Sequence, residues 1–360
     1  MIDLSASYMG LPLKNPLIVA SCSLTGSVDG IKQCAEAGAG AVVLRSLFEE
    51  QIKGDISSLS RHARDYPGYG EAFQYLQSYA TAFGPHQYLH LVKEAKKAVS
   101  IPVIASLNCV SSDSWAAYAH QLQEVGADAI ELNVSIMPTD PSRSCDHIIG
   151  DYLNILRQVK EQVNLPVALK IGPYFTSFAN VVERLTHDRA KAPAYSVGWM
   201  GKHLQVGETT WLGADALVLF NRYYQFDIDI DSQQLHPASH YSTPTEMSDM
   251  LRWLSLLFGK ADCDLAASTG IHDGTHVVKA LLAGATVTQL CSTLYLHGLE
   301  QIAIIEKQLR QWMERNNYSR LDDFRGRLSQ KASSTPKAHE RIQYMKLFME
   351  QNNQSPETSD

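Results

Sequence analysis

The sequence predicts an α/β protein of the (β/α)8 TIM barrel class, with a long region after the second strand and an insertion after the fifth. Three observations support this fold. Short apolar runs recur eight times, stretches with helical spacing separate them, and glycine or proline introduces successive strands. Eight such units within about 300 residues favour a closed barrel over an open doubly wound sheet.

The predicted strands are continuous apolar runs, the pattern of parallel strands that are buried on both faces. They span residues 16–21, 41–46, 102–108, 129–135, 166–170, 216–221, 264–269 and 287–292. Each run ends in a polar or basic residue. Because active sites of such barrels form at the C-terminal ends of the strands, these polar ends are the candidate site.

Helical spacing of apolar residues separates the strands and predicts the outer layer of the barrel. The predicted helices span residues 30–37, 88–99, 114–125, 152–163, 178–185, 245–257 and 275–282, followed by a long helix over 299–315. A glycine at 38, 126, 213 and 284 precedes strands two, four, six and eight, where it can close a helix in the left-handed conformation.

Two segments break this period. Residues 51–83 read as a long loop between strands two and three, and residues 186–211 read as an insertion after strand five. We therefore expect one barrel domain over residues 1–330, with the insertion at about 186–211. Residues 331–360 are expected to form a C-terminal helical extension and a polar tail.

Composition and charge exclude several classes of protein. Hydrophobic residues make up 45% and charged residues 19%, which indicates a folded chain, and the net charge of -7 without a basic cluster argues against nucleic-acid binding. No apolar run approaches the roughly 20 residues of a membrane span, and no signal peptide is evident. Six cysteines without metal-ligand spacing predict no metal site and a cytoplasmic protein with reduced thiols.

The ends of strands seven and eight read Ser-Thr-Gly at 268–270 and Cys-Ser-Thr at 291–293. Loops at these positions commonly bind phosphate, because glycine admits close backbone approach and hydroxyl groups donate hydrogen bonds. We expect a phosphate-bearing ligand at this end. Ordinary turn and capping chemistry remains the alternative for either motif alone.

Other strand ends carry side chains suited to a polar or anionic ligand. Lys170 ends an apolar strand, where a buried ammonium needs an anionic partner, either a ligand or Glu131. Asn108, Asn133 and Asn221 end strands three, four and six and offer donors and acceptors to a planar ligand, although turn chemistry also places asparagine at strand ends. Arg45 lies near the end of strand two.

The motifs, in this order, resemble the dihydroorotate dehydrogenase family of FMN-dependent barrels over residues 1–330. The matching pieces are Leu-Pro-Leu-Lys-Asn-Pro at 11–16 followed by Ala20 and Ser21, Glu-Leu-Asn-Val-Ser at 131–135, Ala-Leu-Lys at 168–170, Thr-Gly-Ile at 269–271, and Leu-Leu-Ala-Gly-Ala at 281–285 leading to Ser292 and Thr293. The resemblance implies oxidation of dihydroorotate to orotate in pyrimidine biosynthesis, and a homodimer or a partner subunit for electron transfer.

The resemblance also implies roles for individual residues. The FMN phosphate would lie on Thr269, Gly270, Ser292 and Thr293, and the flavin ring near Ala20, Ser21 and Asn108, in contact with Lys170. Arg45, Asn133 and Asn221 would hold the substrate. These roles follow from the similarity of the motifs.

The sequence departs from the family at the catalytic base. Ile136 stands where family members carry a cysteine or serine, and isoleucine cannot accept a proton, so the adjacent Ser135 is the candidate base. Arg45 replaces a lysine, and Arg222 replaces a small hydroxyl residue. Two further hypotheses therefore stay open: a flavin oxidoreductase that clamps another anion with both arginines, and a non-catalytic FMN-binding barrel. The arginines have a structural alternative, pairing with local acids such as Asp227.

Overall fold

The computed structural model describes residues 2–49, 51, 84–109, 115–187, 197–199, 202–204, 213–223 and 225–336. Eight parallel strands form its barrel: β1 Leu17–Val19, β2 Ala41–Val43, β3 Val103–Cys109, β4 Ala129–Val134, β5 Val167–Ile171, β6 Ala216–Leu219, β7 Asp264–Ser268 and β8 Val287–Leu290. Each coincides with a predicted run to within a few residues. The sequence thus located every barrel strand because each is buried on both faces and reads as an apolar run.

The strands pair in the order β2-β1-β8-β7-β6-β5-β4-β3, and β3 pairs back with β2, so the barrel is closed. All of these pairings are parallel. Leu47–Phe48 extends the edge beyond β2 and pairs with the end of β3. The predicted (β/α)8 barrel is confirmed.

Helices surround the barrel and follow the strands in sequence. Their bounds are α1 Val28–Glu36, α2 Pro85–Ala98, α3 Trp115–Glu124, α4 Cys145–Lys160, α5 Phe178–Thr186, α6 Met247–Leu257, α7 Gly274–Ala283, α8 Ser292–His297 and α9 Gln301–Arg315. Helix α4 begins seven residues before its predicted start because the Ser144 hydroxyl accepts a hydrogen bond from the amide of His147 and caps the helix.

Two hairpins outside the insertion were not predicted. The first, Ala6–Tyr8 with Leu11–Leu13, covers the N-terminal end of the barrel, where Tyr8 and Leu13 join the apolar cluster inside the strands. The second, Phe226–Asp229 with Gln234–Pro237, follows β6 and is exposed at the opposite end. Strands this short carry too little periodicity to be distinguished from loops in the sequence.

The alternation of side chains along the strands divides the barrel interior into two zones. Near the N-terminal hairpin the interior is apolar and includes Ala129, Ala168 and Val287. Two residues further along the same strands, it carries Glu131, Lys170 and Gln289, all buried. Because side chains repeat every two residues on one face of a strand, the three polar groups point into the same space.

Three expectations fall largely outside the described residues. These are the long region after the second strand (52–83), most of the insertion at 186–211, and the tail beyond residue 336. Within the insertion, Val197–Trp199 pairs antiparallel with Lys202–Leu204. Among the helices that the structure describes, none has both the length and the apolar character needed to cross a membrane.

Candidate active site

A cavity of about 370 Å³ opens at the C-terminal ends of the barrel strands. Its volume falls within the range of small-ligand and cofactor pockets, roughly 300–1,000 Å³. The predicted site residues that line it are Ala20, Ser21, Arg45, Asn133, Lys170, Asn221, Thr269, Gly270 and Ser292. Barrel closure therefore brings strand ends that are far apart in the sequence to one place.

Three predicted site residues do not line this cavity. The hydroxyl of Thr293 is buried and donates to the carbonyl oxygen of His272 at 2.9 Å, so it is turned toward the protein. Asn108 lies beside Asn133 in the register of β3 and β4. Ser135 follows β4 and contacts Tyr223. Their position at strand ends suggested the site, but the local chain direction decides which side chains reach the cavity.

Lys170 lies at the floor of the cavity and is held by a buried polar network. Its Nζ atom donates to Oε1 of Gln289 at 3.0 Å, and Nε2 of Gln289 donates to Oε2 of Glu131 at 2.5 Å. Oε1 of Glu131 lies 4.0 Å from the ammonium. The pairing with Glu131 that the sequence suggested is therefore present, and Gln289, which the sequence did not single out, connects the two charges.

Two of the predicted substrate-binding residues form a pair. Nδ2 of Asn221, after β6, donates to Oδ1 of Asn133, on β4, at 2.6 Å. This bond uses one donor and one acceptor and fixes both side-chain amides in orientation, while each amide keeps further hydrogen-bonding capacity for a ligand. The two side chains thus present a rigid polar surface to the cavity.

The end of the cavity where we expect a phosphate is built from the loops after β6, β7 and β8. Gly270 has φ +77°, and a Cβ atom there would lie 3.0 Å from both the amide nitrogen of Met247 and the carbonyl oxygen of Thr243. Its amide donates to Oγ of Ser242, and Oγ of Ser242 donates to Oγ of Ser292 at 3.0 Å. Sequence analysis missed Ser242 because it lies in a loop after an unpredicted hairpin.

Arg222 lies at the rim of the cavity and is hydrogen-bonded to several neighbouring groups. Its Nε atom donates to Oε2 of Glu246 at 2.8 Å, and its terminal nitrogens donate to the carbonyl oxygens of Ser239 and Tyr241 at 3.2 and 3.3 Å. Burial of Glu246 opposes its ionisation, but the hydrogen bonds from Arg222 and Thr243, together with the charge of Arg222, outweigh burial and lower the pKa of this carboxyl. The local acid that pairs with Arg222 is therefore Glu246, not Asp227.

The segment that Arg222 holds carries a second group that the sequence did not indicate. His240 lines the mouth of the cavity, between the two residues whose carbonyl oxygens Arg222 binds. On the other side of the cavity, the hydroxyl of Ser46 is hydrogen-bonded to the hydroxyl of Ser21 at 3.0 Å and to the hydroxyl of the buried Ser106 at 2.7 Å. A lone histidine or serine in a loop gives no periodic signal, so only the fold reveals these neighbours.

Comparison with known proteins gives relatives that span nearly the whole chain, whereas no protein-family model matches it. The dihydroorotate dehydrogenase B (NAD(+)) catalytic subunit of Thermoplasma volcanium is 25% identical over 347 residues, covering 91% of this chain and 98% of the relative. The chain is a divergent relative of the dihydroorotate dehydrogenases.

Two further relatives extend this finding. The corresponding catalytic subunit of Pyrococcus furiosus is 25% identical over 340 residues, covering 92% of this chain and 100% of its own. The chloroplastic dihydropyrimidine dehydrogenase (NADP(+)) of Arabidopsis thaliana is 20% identical over 355 residues, covering 90% of this chain and 76% of its own. The similarity therefore covers about nine tenths of this chain and reaches two kinds of dehydrogenase.

The residues of the cavity fit the FMN that the dihydroorotate dehydrogenase resemblance implies. Because Gly270 has no Cβ, the loop after β7 packs closely against the backbone of Thr243 and Met247, and the neighbouring hydroxyl groups of Ser242 and Ser292 match the acceptor oxygens of a phosphate. The Lys170 ammonium supplies a positive charge at the floor, where a flavin ring gains negative charge on reduction. Donor types and volume thus agree with a flavin mononucleotide.

Proposed function

We propose that the chain is an FMN-dependent dehydrogenase that oxidises dihydroorotate to orotate. The observation that carries the proposal is one cavity that joins a hydroxyl and amide cradle at its β7 and β8 end to the buried ammonium of Lys170 at its floor. The named relatives support the same reaction, the removal of hydrogen from a dihydropyrimidine ring.

For the cofactor, we assign the phosphate to the backbone and hydroxyl groups of Thr269, Gly270 and Ser292, with the amide of Thr293 at the start of α8. Ala20 and Ser21 would flank the ring, and Lys170 would contact it. When bound, FMN accepts a hydride from the substrate. The chain contributes position and charge: the network through Gln289 keeps Lys170 aimed at the cavity.

For the substrate, we assign the paired amides of Asn133 and Asn221 to the ring of the dihydropyrimidine. Arg45 lines the same cavity and would bind the carboxylate, because a guanidinium binds a carboxylate through two parallel hydrogen bonds. Arg222 is engaged by Glu246 and by backbone carbonyl groups, so we assign it to the rim and not to the substrate.

A proton must leave the carbon next to the one that loses the hydride. Ile136 cannot accept it, and only 8% of this residue is exposed. Ser135 is the acceptor that the sequence offers. His240 is a second acceptor, and it lines the cavity whereas Ser135 does not. A pH-rate profile of variants at the two positions distinguishes them.

For partners, we propose a homodimer or an assembly with a separate electron-transfer subunit. The support is the printed name of the relatives, which are catalytic subunits of an NAD(+) enzyme. Size measurement of the chain alone, and after co-expression with a candidate partner, tests this assembly.

The first experiment is an anaerobic visible spectrum of the purified protein before and after addition of dihydroorotate. Bleaching of an oxidised flavin band is expected. A flavin band that stays oxidised would reject dihydroorotate as the substrate, and a colourless protein that does not bind added FMN would reject the flavin assignment and favour a non-catalytic barrel.

A second candidate, oxidation of a different dihydropyrimidine, is favoured by the apolar Ile136 at the position of the base and by the dihydropyrimidine dehydrogenase relative. Dihydrouracil, which lacks the carboxylate, is the matched probe. If dihydroorotate is the substrate, Arg45→Gln should weaken its binding and leave dihydrouracil unaffected. Flavin reduction by dihydrouracil alone would establish the second candidate instead.

A further inference from the structure

Two cysteines from opposite ends of the chain meet at the edge of the cavity. Cys22 follows β1, Cys291 follows β8, and both line the cavity. The bonds on either side of them fix this approach: the amide of Ala20 donates to the carbonyl oxygen of Leu290 at 2.8 Å, and the amide of Ser23 donates to the hydroxyl of Tyr295 at 2.9 Å.

Both cysteines precede helical turns. Cys22 occupies the N-cap position of the 3-10 turn Ser23–Thr25, and Cys291 occupies the N-cap position of α8. Neither thiol is in a disulfide, and each is half-buried rather than enclosed in the apolar core.

The two thiols also interact with each other. A hydrogen bond with Cys291 lowers the pKa of Cys22 to about 7, against the opposing effect of burial. The same bond and burial raise the pKa of Cys291. The facing charged and titratable groups are Tyr295 on α8, Cys34 on α1, Lys170 on β5 and Arg222 after β6, and the two cations favour ionisation of Cys291.

We propose that Cys22 and Cys291 form a redox-active dithiol, which a low-molecular-weight disulfide such as glutathione disulfide oxidises to an intramolecular disulfide. The Cys22 thiolate attacks one sulfur of the oxidant and displaces a glutathione thiolate. The thiol of Cys291 then loses its proton and attacks the Cys22 sulfur, releasing the second glutathione thiolate. The protein loses two protons and two electrons, and the oxidant is reduced to two thiols.

The position of this pair gives the reaction a structural consequence. The disulfide would join the loop after β1 to the start of α8, and Ser292, the next residue after Cys291, belongs to the phosphate cradle. Oxidation therefore acts on the wall of the ligand cavity. The inference does not depend on the identity of the ligand, because it rests on the two thiols alone.

Mass spectrometry of the purified full chain tests the proposal. After incubation with glutathione disulfide, the number of free thiols titrated in the denatured protein should fall by two from the six cysteines of the sequence. Trypsin cleaves after Lys14, Lys32, Lys279 and Lys307, so Cys22 and Cys291 lie in peptides 15–32 and 280–307, each with a single cysteine. A linked species of these two peptides, two hydrogen masses lighter than their sum and separated by dithiothreitol, is expected.

Variants serve as controls. Cys22→Ser and Cys291→Ser should each abolish the linked species, and Cys22→Ser should also prevent the initial glutathione adduct. Cys145→Ser, at an exposed cysteine on α4, should leave the linkage unchanged. A stable glutathione adduct on wild-type Cys22 that never converts to the linked peptides, or an absence of reaction at either thiol, would overturn the proposal.

The linkage and the flavin reaction have separate readouts. Linked peptides from a protein that dihydroorotate does not reduce would support the dithiol while rejecting the proposed substrate. Flavin reduction by dihydroorotate in a protein that forms no linked peptides would support the proposed substrate and reject the dithiol. The wild-type peptide map decides the matter even if a serine variant fails to fold.

Discussion

Lys170 and Gln289 lie on different strands of the barrel and are joined by a 3.0 Å hydrogen bond from Nζ to Oε1. Gln289 donates in turn to Glu131, whose side chain is 2% exposed. A buried ammonium and a buried carboxylate are each costly in isolation, and the glutamine between them bonds to the ammonium and to one carboxylate oxygen, while Oε1 of Glu131 has no hydrogen-bond partner among the described residues and faces the ammonium at 4.0 Å. This chain of three groups keeps a positive charge at the floor of the cavity.

The buried network predicts a coupled effect of mutations. Lys170→Met leaves the carboxylate of Glu131 without its cation and should lower the free energy of unfolding by about 3 kcal/mol. Adding Glu131→Gln should recover part of this loss because the amide carries no charge. Urea denaturation of both single variants and the double variant measures the coupling, and strict additivity would show that the two charges act independently.

The phosphate cradle predicts different results for two glycines. Gly270 and Gly10 have nearly equal φ angles, +77° and +78°, but only the Cβ of an alanine at 270 would meet backbone atoms, since nothing lies within 4 Å of that position at Gly10. Both variants should lose about 1 kcal/mol of stability from the backbone strain. Gly270→Ala should in addition weaken FMN binding about tenfold.

Flavin fluorescence titration measures this difference. Equal FMN affinity in the Gly10→Ala and Gly270→Ala proteins would contradict the assignment of the cradle to the phosphate.

The role of Arg222 in the rim predicts a stability effect. Arg222→Ala removes the bonds to Glu246 and to the carbonyl groups of the 239–241 segment, and should cost about 2 kcal/mol. Arg252→Ala is the control, because Arg252 is half-exposed and pairs with Asp249 at 3.6 Å, so its loss should change stability by less than about 0.5 kcal/mol. Thermal unfolding of both variants would refute the role of Arg222 if their midpoints coincide.

The thiol of Cys22 predicts a pH dependence. Its pKa of about 7 means that the reactive thiolate forms as the pH rises through neutrality, so alkylation by iodoacetamide should be about tenfold faster at pH 8 than at pH 6. Burial raises the pKa of Cys34 to about 12, so its peptide should stay unmodified at both values. A rise on the order of a hundredfold between pH 6 and pH 8, which a thiol of ordinary pKa would show, would contradict the hydrogen bond between the two cysteines.

The proton acceptor is tested by three variants. If His240 is the base, His240→Gln should lower kcat by about 100-fold and remove the acid limb of the pH-rate profile, while Ser135→Ala has a small effect. If Ser135 is the base, Ser135→Ala should cause the large loss of kcat and His240→Gln should have the small effect. His90→Gln, at an exposed position on α2, is the control and should not alter the profile.

The sequence was sufficient for the barrel and for most of the cavity lining. Parallel strands buried on both faces read as apolar runs, and the polar residue that ends each run lies at the C-terminal edge of the closed barrel. Lys170, Asn133, Asn221 and Gly270 were therefore found from their local pattern alone. The motifs around them carried the resemblance to dihydroorotate dehydrogenases, which comparison with relatives along the whole chain supports.

Apart from the pairing of Lys170 with Glu131, the sequence did not reveal the partners of these residues. Several residues matter only through contacts with residues that lie tens to hundreds of positions away in the chain. They are Gln289, Ser242, His240 and the pair of Cys22 and Cys291. The spacing of apolar residues predicts which side chains are buried, because burial repeats with the period of a strand or a helix.

Contacts between loops have no such period. They depend on the closure of the barrel and on the paths of the loops after β1, β6 and β8. The amino-acid sequence alone thus determined the fold and the edge of the barrel that carries the site. The tertiary structure decided which polar groups neutralise, orient and connect one another there.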